Sequence, residues 1–581
     1  MMEIERVVDE LRRGGTPVSR RRVLRMAALG SLGIAGAGIL AACGGGSESP
    51  TTAPSGGSSG SGSSGSGAGS TPSAEGTPGS GGGEAKKGGV WRMAITANPT
   101  AYPITAPGAL TDILVNKTIY NSLVQYRLED DAIEVVPDLA ESWEAASDLS
   151  EYTFKLKSGV TWHDGQPLTA EDVKFTMDAV LDPNVNASGR GVVSSIDSTE
   201  VVDDQTVKFV LKYPFASLPI MLGYNKPIVP KHLLEGQDLN EPAEFLRKPI
   251  GTGPFKFQEF VQGSHLAVEA NPDYFEGAPL LDGIIFKIIP DGNARVAQVR
   301  SGEIDFTVIE PAQIDALSGV DNVEIRYVPQ VNYYFFAINH SSPKMQDVRV
   351  RQALVYAINR QAIVDQVLKG HGKVATGPIN PLLGPYYNPD VPTYDYDPER
   401  AAALLEEAGW TKGSDGILTN AQGEKLTIRF NGPKGYPAME QVITYAQQEY
   451  QKLGIQVTLE IVDWPVHLDM YHNLEYDLLM EWWITPPDAD LYDHYHSESS
   501  SNWWAYKNPE IDDLIVKARS EPDEQRRIEL YHELQRKLAE DVPVVYLYYP
   551  EEIQAMSTRT KDLPAMGYRD ALTWMEKVWV E

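Results

Sequence analysis

From Gly44 to about Lys87 the chain is almost wholly Gly, Ser, Thr and Pro, a composition that buries too little apolar surface to offset the entropy of ordering it. Whatever folds must fold beyond about Gly88. That remainder exceeds the roughly 250–300 residues at which a single hydrophobic core stops growing, so more than one domain is expected. Over all 581 residues, 42% are hydrophobic and 9% aromatic, enough to build large cores. The Gly/Ser stretch itself reads as a disordered tether with a reach on the order of 35–40 Å.

Ahead of the tether, Ser19-Arg20-Arg21-Arg22-Val23-Leu24-Arg25 precedes an apolar, small-residue run from Met26 to Ala42 that holds no acidic side chain. The run is short and Gly-rich for a membrane span, which favours a cleaved export signal over residues 1–42. Its paired arginines resemble a twin-arginine signal. Leu40-Ala41-Ala42-Cys43 resembles the lipobox at which a bacterial signal is cut and the new terminal Cys acylated. Cys43 is the one cysteine in the chain, which leaves no intramolecular disulfide and makes it the expected lipid attachment point. Acyl chains contribute about 0.8 kcal/mol per buried methylene, so two or three of them anchor a protein without a spanning helix. The formal charge is −30, and −33 once the seven Arg and four acidic residues of the first 42 positions are set aside. Such an acidic surface argues against a nucleic-acid partner.

Beyond Gly88, strand and helix patterns alternate. Residues 90–95 read as a first strand and 112–120 as a helix; Tyr152, Phe154 and Leu156 alternate with polar neighbours, and 206–212 form another strand. Thr169-Ala170-Glu171-Asp172 opens a helix with capping-box spacing. Later helices are predicted to start at Asp347, at Asp397-Pro398 and at Asp523, and one over 438–453 to stop at Gly454, with strands over 455–462 and 542–549. Helices feeding strands through short Gly turns imply a mixed α/β body.

Several blocks resemble one family, the extracytoplasmic solute-binding proteins of peptide, nickel and related ABC importers (bacterial solute-binding protein family 5). They are Pro137-Asp138-Leu139-Ala140-Glu141-Ser142-Trp143-Glu144; Trp162-His163-Asp164-Gly165 with Thr169-Ala170-Glu171-Asp172-Val173; Gly251-Thr252-Gly253-Pro254-Phe255; and Asn271-Pro272-Asp273-Tyr274-Phe275. Further on come Ser301-Gly302-Glu303-Ile304-Asp305, Asp347-Val348-Arg349-Val350-Arg351-Gln352-Ala353-Leu354, Glu406-Glu407-Ala408-Gly409-Trp410 and Asn508-Pro509-Glu510-Ile511-Asp512. The resemblance implies an α/β, bilobal periplasmic-binding-protein-like clamp (type II): two mixed-sheet lobes with a small domain inserted in the first. Lobe I is expected over 88–126, 225–327 and 546–581, the insert over 127–224 and lobe II over 328–545, with crossing strands near 327–339 and 542–549. It further implies a monomeric, lipid-anchored receptor outside the cytoplasmic membrane, which hands a short peptide or another organic solute to permease and ATPase subunits and needs no cofactor. An oligosaccharide or metal chelate as ligand, or a surface hydrolase or metal-binding lipoprotein, are the alternatives.

The same resemblance places the ligand site on Glu481-Trp482-Trp483-Ile484-Thr485-Pro486-Pro487-Asp488, read as a loop after the apolar strand 476–480, because two adjacent indoles on a turn cannot both face one core. Where peptide-binding members carry an aspartate for the ligand's amino terminus, Thr485 or Pro486 stands here. Asp488 is the candidate substitute, its other reading being a turn cap. Trp483, Trp482, Thr485 and Asp488 are joined as candidates by Trp503, Tyr333, Tyr102 and Trp464, each of which is also a plausible core or surface aromatic. His494-Tyr495-His496 matches no strong zinc spacing, and the rows hold no phosphate-cradling Gly-Lys-Ser loop, His-Glu-x-x-His pair or Gly-x-Ser-x-Gly elbow. A binding protein is therefore expected and an enzyme is not.

Overall fold

Val90–Ile95 (β1) enters a long mixed sheet as its first strand, with Trp91, Met93 and Ile95 buried. The computed structural model describes residues 85–106, 110–129, 132–224, 226–483, 488–565 and 572–581. The expected signal, Cys43, the tether and Thr485 lie outside the described residues. After β1 the chain builds a separate small layer. Val124–Glu129 (β2) and Ala132–Pro137 (β3) form a hairpin. Ala140–Ala145 (β4), Glu151–Leu156 (β5), Ile196–Asp203 (β6) and Thr206–Leu211 (β7) form an antiparallel sheet in the order β4-β5-β7-β6. The helix Ala170–Leu181 opens on its predicted capping box, where the Thr169 amide donates to Asp172 at 2.9 Å.

The chain then returns to the long sheet. Phe255–Val261 (β8), His265–Ala270 (β9), Gly283–Ile288 (β10) and Phe306–Ile309 (β11) complete a first half in the order β11-β1-β10-β9-β8, followed by Val323–Pro329 (β12). In the second half, Tyr333–Ile338 (β13) and Gly372–Val374 (β14) precede the short pair Thr411–Lys412 (β15) and Leu418–Thr419 (β16). Thr427–Pro433 (β17), Gln456–Val462 (β18) and Leu478–Trp483 (β19) extend it in the order β18-β17-β19-β13. Alternation along β13 splits its side chains between two cores: Phe336 and Ile338 pack with Phe430 on one face, Tyr333, Phe335 and Ala337 with Tyr471 and Tyr495 on the other.

One strand, Val544–Ser557 (β20), belongs to both halves. Its first residues pair with β13, and Ile553 to Met556 pair with β11 while Glu551 to Ser557 pair with β12. The sequence reading ends this strand at Tyr549. The structure carries it on to Ser557, since only the Pro550 carbonyl is used, accepting from the Gln330 amide at 3.1 Å. The companion crossing, expected as one strand near 327–339, is interrupted between β12 and β13.

The motif Trp162-His163 acts as a clamp on Gly251-Thr252-Gly253. His163 Nδ1 accepts from the Gly251 amide at 3.2 Å and Nε2 donates to the Gly253 carbonyl at 3.0 Å. Burial lowers its pKa to about 4, so the ring is neutral and able to accept at Nδ1. Both glycines are required by close approach, because a Cβ on Gly251 would meet the Ile119 carbonyl oxygen at 1.9 Å and one on Gly253 the Ile119 carbonyl carbon at 2.6 Å.

The predicted helix starts hold, the side chains of Asp347, Asp397 and Asp523 accepting from the amides of Arg349, Arg400 and Arg526. Within the first of these helices, Val348–Tyr356, the buried Arg351 donates to the Asp541 carboxylate at 2.6 Å and to the carbonyls of Asp541, Val542, Met345 and Gln346. It thereby fixes the end of the helix Glu524–Asp541 where β20 begins. Arg351→Met should cost about 3–5 kcal/mol in urea denaturation, because it strips the Asp541 carboxylate of its cation and leaves several carbonyls without their donor. Arg349→Met, removing an exposed pair with Asp347, should cost no more than about 1 kcal/mol; equal losses would contradict the assignment.

Candidate functional site

At the end of β19 the structure departs from the expected loop: Glu481, Trp482 and Trp483 remain in the strand, opposite Phe335, Tyr334 and Tyr333 of β13. Glu481 is held there although buried, since its carboxylate is 3.0 Å from His467 Nε2, whose Nδ1 is 2.7 Å from the Asn431 side chain. Burial raises the Glu481 pKa against the pull of that histidine. Successive strand positions face opposite ways, so the two indoles do part company, by pleat instead of by turn. Trp482 joins Tyr334 (6.1 Å between centroids), Tyr436 (5.3 Å) and Trp464 (5.1 Å), and Tyr334 stacks on Tyr548 of β20 at 4.7 Å. Trp483 meets His494 edge-on at 4.0 Å and Trp503 at 5.5 Å. All four tryptophans are half-buried.

Two other candidates are fully buried. Tyr333 lies in the core beneath Trp483, its hydroxyl 3.2 Å from that of Tyr495, which is 2.8 Å from that of Tyr546. Tyr102 packs edge-on against Phe245 at 5.6 Å and donates to the Leu239 carbonyl at 3.2 Å, apart from the tryptophan group. His494, beside Trp483, is buried with neither ring nitrogen hydrogen-bonded among the described residues, and desolvation lowers its pKa to about 3.

Two cavities lie between parts of the chain, and only the smaller is lined by rings of this cluster. The larger, about 630 Å³, is bounded by Trp143, Ser217 and Ile220 of the small layer and by Tyr386, Asp488 and Arg527 of the second half. The smaller, about 210 Å³, brings Glu310 of the first half to Tyr334 and Tyr436 of the second and to Tyr548, Glu551 and Glu552 of β20. Tyr334, Tyr436, Tyr386 and Arg527 carry no site signal in the sequence, because the neighbours each meets come from segments distant along the chain.

Asp488 lies where the small layer meets the second half. Its Oδ1 accepts from the Ser217 hydroxyl at 2.8 Å and the Asp490 amide at 2.7 Å. The second oxygen accepts no hydrogen bond, and no cation lies within ion-pair distance, among the described residues. Arg527, on the same cavity, instead donates to the Tyr386 hydroxyl and the Glu521 carbonyl. Burial, aided by the neighbouring Asp490 charge, pushes the Asp488 pKa up to about 6.

Comparison with known proteins places this geometry among related molecules. Residues 134–504 match the model described as bacterial extracellular solute-binding proteins, family 5 Middle. The chain is 34% identical over 511 residues to the oligopeptide-binding protein AppA of Bacillus subtilis (strain 168), covering 86% of this chain and 93% of that one. The structure of AppA in complex with a nonapeptide superposes with a TM-score of 0.74 at 32% identity, over 86% of this chain and all of that one. The dipeptide-binding protein of Escherichia coli (strain K12) is 31% identical over 471 residues, 76% of this chain and 86% of that one. NikZ from Campylobacter jejuni in complex with Ni(L-His) gives a TM-score of 0.73 at 25% identity, over 85% of this chain and 99% of that one.

The raised Asp488 value has a consequence for stability. An acid that binds its proton more tightly in the folded than in the unfolded chain destabilises the fold as pH rises from its unfolded value of 3.8 through its folded value of about 6. Thermal melts should therefore show wild type losing stability relative to Asp488→Asn across that window, and little relative change above it. Parallel profiles for the two proteins would refute the perturbed titration.

Proposed function

The chain belongs to family 5 of the bacterial extracellular solute-binding proteins, and on that footing we propose that it is the receptor of an ABC importer whose ligand is a short peptide. It binds and releases without breaking a bond. The observation that carries this reading is the 630 Å³ cavity lined by Asp488, one of whose carboxylate oxygens accepts no hydrogen bond among the described residues, and by the rings of Trp143, Tyr386 and Tyr531. A peptide's amino terminus would supply a cation for Asp488, and its side chains would pack on these rings. Trp483, Trp482, Trp464 and Trp503 are proposed as ligand contacts, with Thr485 on the adjoining segment; Tyr333 supports them from the core, and Tyr102 is the most remote candidate. Support also comes from AppA, whose structure holds a nonapeptide.

Such a receptor works by population shift. Solute that touches both halves only when they are closed stabilises the closed form by its own binding free energy, and the permease and ATPase subunits respond to that form. We further place the protein as a monomer outside the cytoplasmic membrane, exported by the twin-arginine-like signal and tethered through acylated Cys43. Among the described residues no helix is long and apolar enough to cross a membrane.

Peptides of two to nine residues and oligosaccharides, added at 100 times their dissociation constants, test the ligand class. Each true ligand should stabilise the protein by about 2.7 kcal/mol. Peptides with a free amino terminus should do so and their N-acetylated forms should bind at least about tenfold more weakly; stabilisation by sugars alone would overturn the reading. For the anchor, Cys43→Ser should move the protein from the membrane to the soluble fraction, and unaltered membrane association would exclude acylation as the tether.

A further inference from the structure

The segment after β7 grips the second half of the long sheet through one arginine. Arg519, at the end of the helix Pro509–Ser520, is 8% exposed. Its guanidinium carbon lies 4.3 Å from the centre of the Tyr492 ring, 4.8 Å from Phe215 and 5.1 Å from Tyr213, and it pairs with Asp490 at 2.9 Å. Its Nε has no hydrogen-bond partner among the described residues, as suits a guanidinium enclosed by rings. Backbone bonds close the grip: the Ala216 amide donates to the Arg519 carbonyl at 3.1 Å, beside the Ser217–Asp488 bond. Tyr152 ties the segment back to the small sheet by donating to the Phe215 carbonyl at 2.9 Å.

Behind this clasp lies the 630 Å³ chamber. The small layer contributes Val135, Trp143 and Ile220 to its wall, and the second half Leu383, Tyr386 and Tyr531. The volume falls within the roughly 300–1,000 Å³ of sites built for organic ligands, and walls of this kind gain dispersion contacts only when an apolar group fills the space. Its polar groups are Ser217, Asp488, Glu524 and Arg527 with the hydroxyls of Tyr386 and Tyr531, and the rest of the wall is aliphatic or aromatic.

We infer that this chamber is a subsite for a bulky apolar side chain, aromatic or branched aliphatic, and that the Arg519 clasp shuts it. The small layer is then a wall of the binding site, and the clasp is formed between the layer and the second half. The inference rests on the peptide reading above and adds to it which part of the ligand the small layer recognises.

The test uses tetra-alanine and its four single-Phe variants, with affinities from calorimetry and dissociation rates from stopped flow. At one position Phe should tighten binding to wild type about tenfold or more. Trp143→Ala should abolish that gain, the Phe peptide and tetra-alanine then binding this variant within about twofold of each other. Because Trp143 also stacks on Phe154 at 6.1 Å, Val135→Trp, which fills the chamber instead of emptying it, serves as the second variant and should abolish the gain as well. Arg519→Met should speed release of the favoured Phe peptide about tenfold. If all five peptides bind but Phe gives no gain, or the gain survives both wall variants, the subsite is refuted and the peptide reading stands. If none of the five binds, both fall.

Discussion

The two halves of the long sheet share a strand. β20 spends its first residues in the ladder of β13 and its last in the ladders of β11 and β12, so any motion of one half against the other must be absorbed where it passes between them. That passage is marked by Pro550, which contributes a carbonyl but no amide, and by the break between β12 and β13. Tyr327 stacks on His371 at 3.9 Å beside it, and His371 Nδ1 lies 3.3 Å from Glu551. A hinge needs few residues that change conformation and rigid bodies on either side. Here the rigid bodies are the separate cores of the halves, and Arg351 pins the start of β20 to one of them.

The cavity between the small layer and the second half holds the costlier groups. Asp488 is a carboxylate satisfied on one oxygen by neutral donors, and Arg527 on the same cavity is satisfied by a phenol and a carbonyl. Groups of opposite sign that face a cavity without pairing are poor for stability and useful for recognition. The Arg519 cage is the opposite case. Its charge is fully engaged by Asp490 and three rings, so it fastens the small layer to the second half without asking anything of a ligand. Recognition and fastening are thus divided between neighbouring arginines.

Much of this was legible beforehand, for identifiable reasons. Caps are local, and so Asp347, Asp397, Asp523 and the Thr169 box could be read from spacing alone. That Trp482 and Trp483 part company is local as well, but the means is not: Glu481 stays inside the strand instead of opening a loop only because the remote His467 and Asn431 satisfy it. Tyr333 shows the converse limit. Its position on the crossing strand was readable, but which face of the pleat it took depended on register with β19 and β20. Tyr334, its neighbour, reached the tryptophan group instead. Arg519, Tyr386 and Arg527 carried no local signal at all, since their partners lie in segments distant along the chain.

The account stands on closure of the two halves around a solute. The most direct measurement is a pulsed electron–electron distance between spin labels at exposed Ser301 and Asp469, in a background with Cys43 replaced. With saturating peptide the distribution should collapse to one shorter distance. An unchanged distribution in a sample that demonstrably binds the peptide would contradict the account.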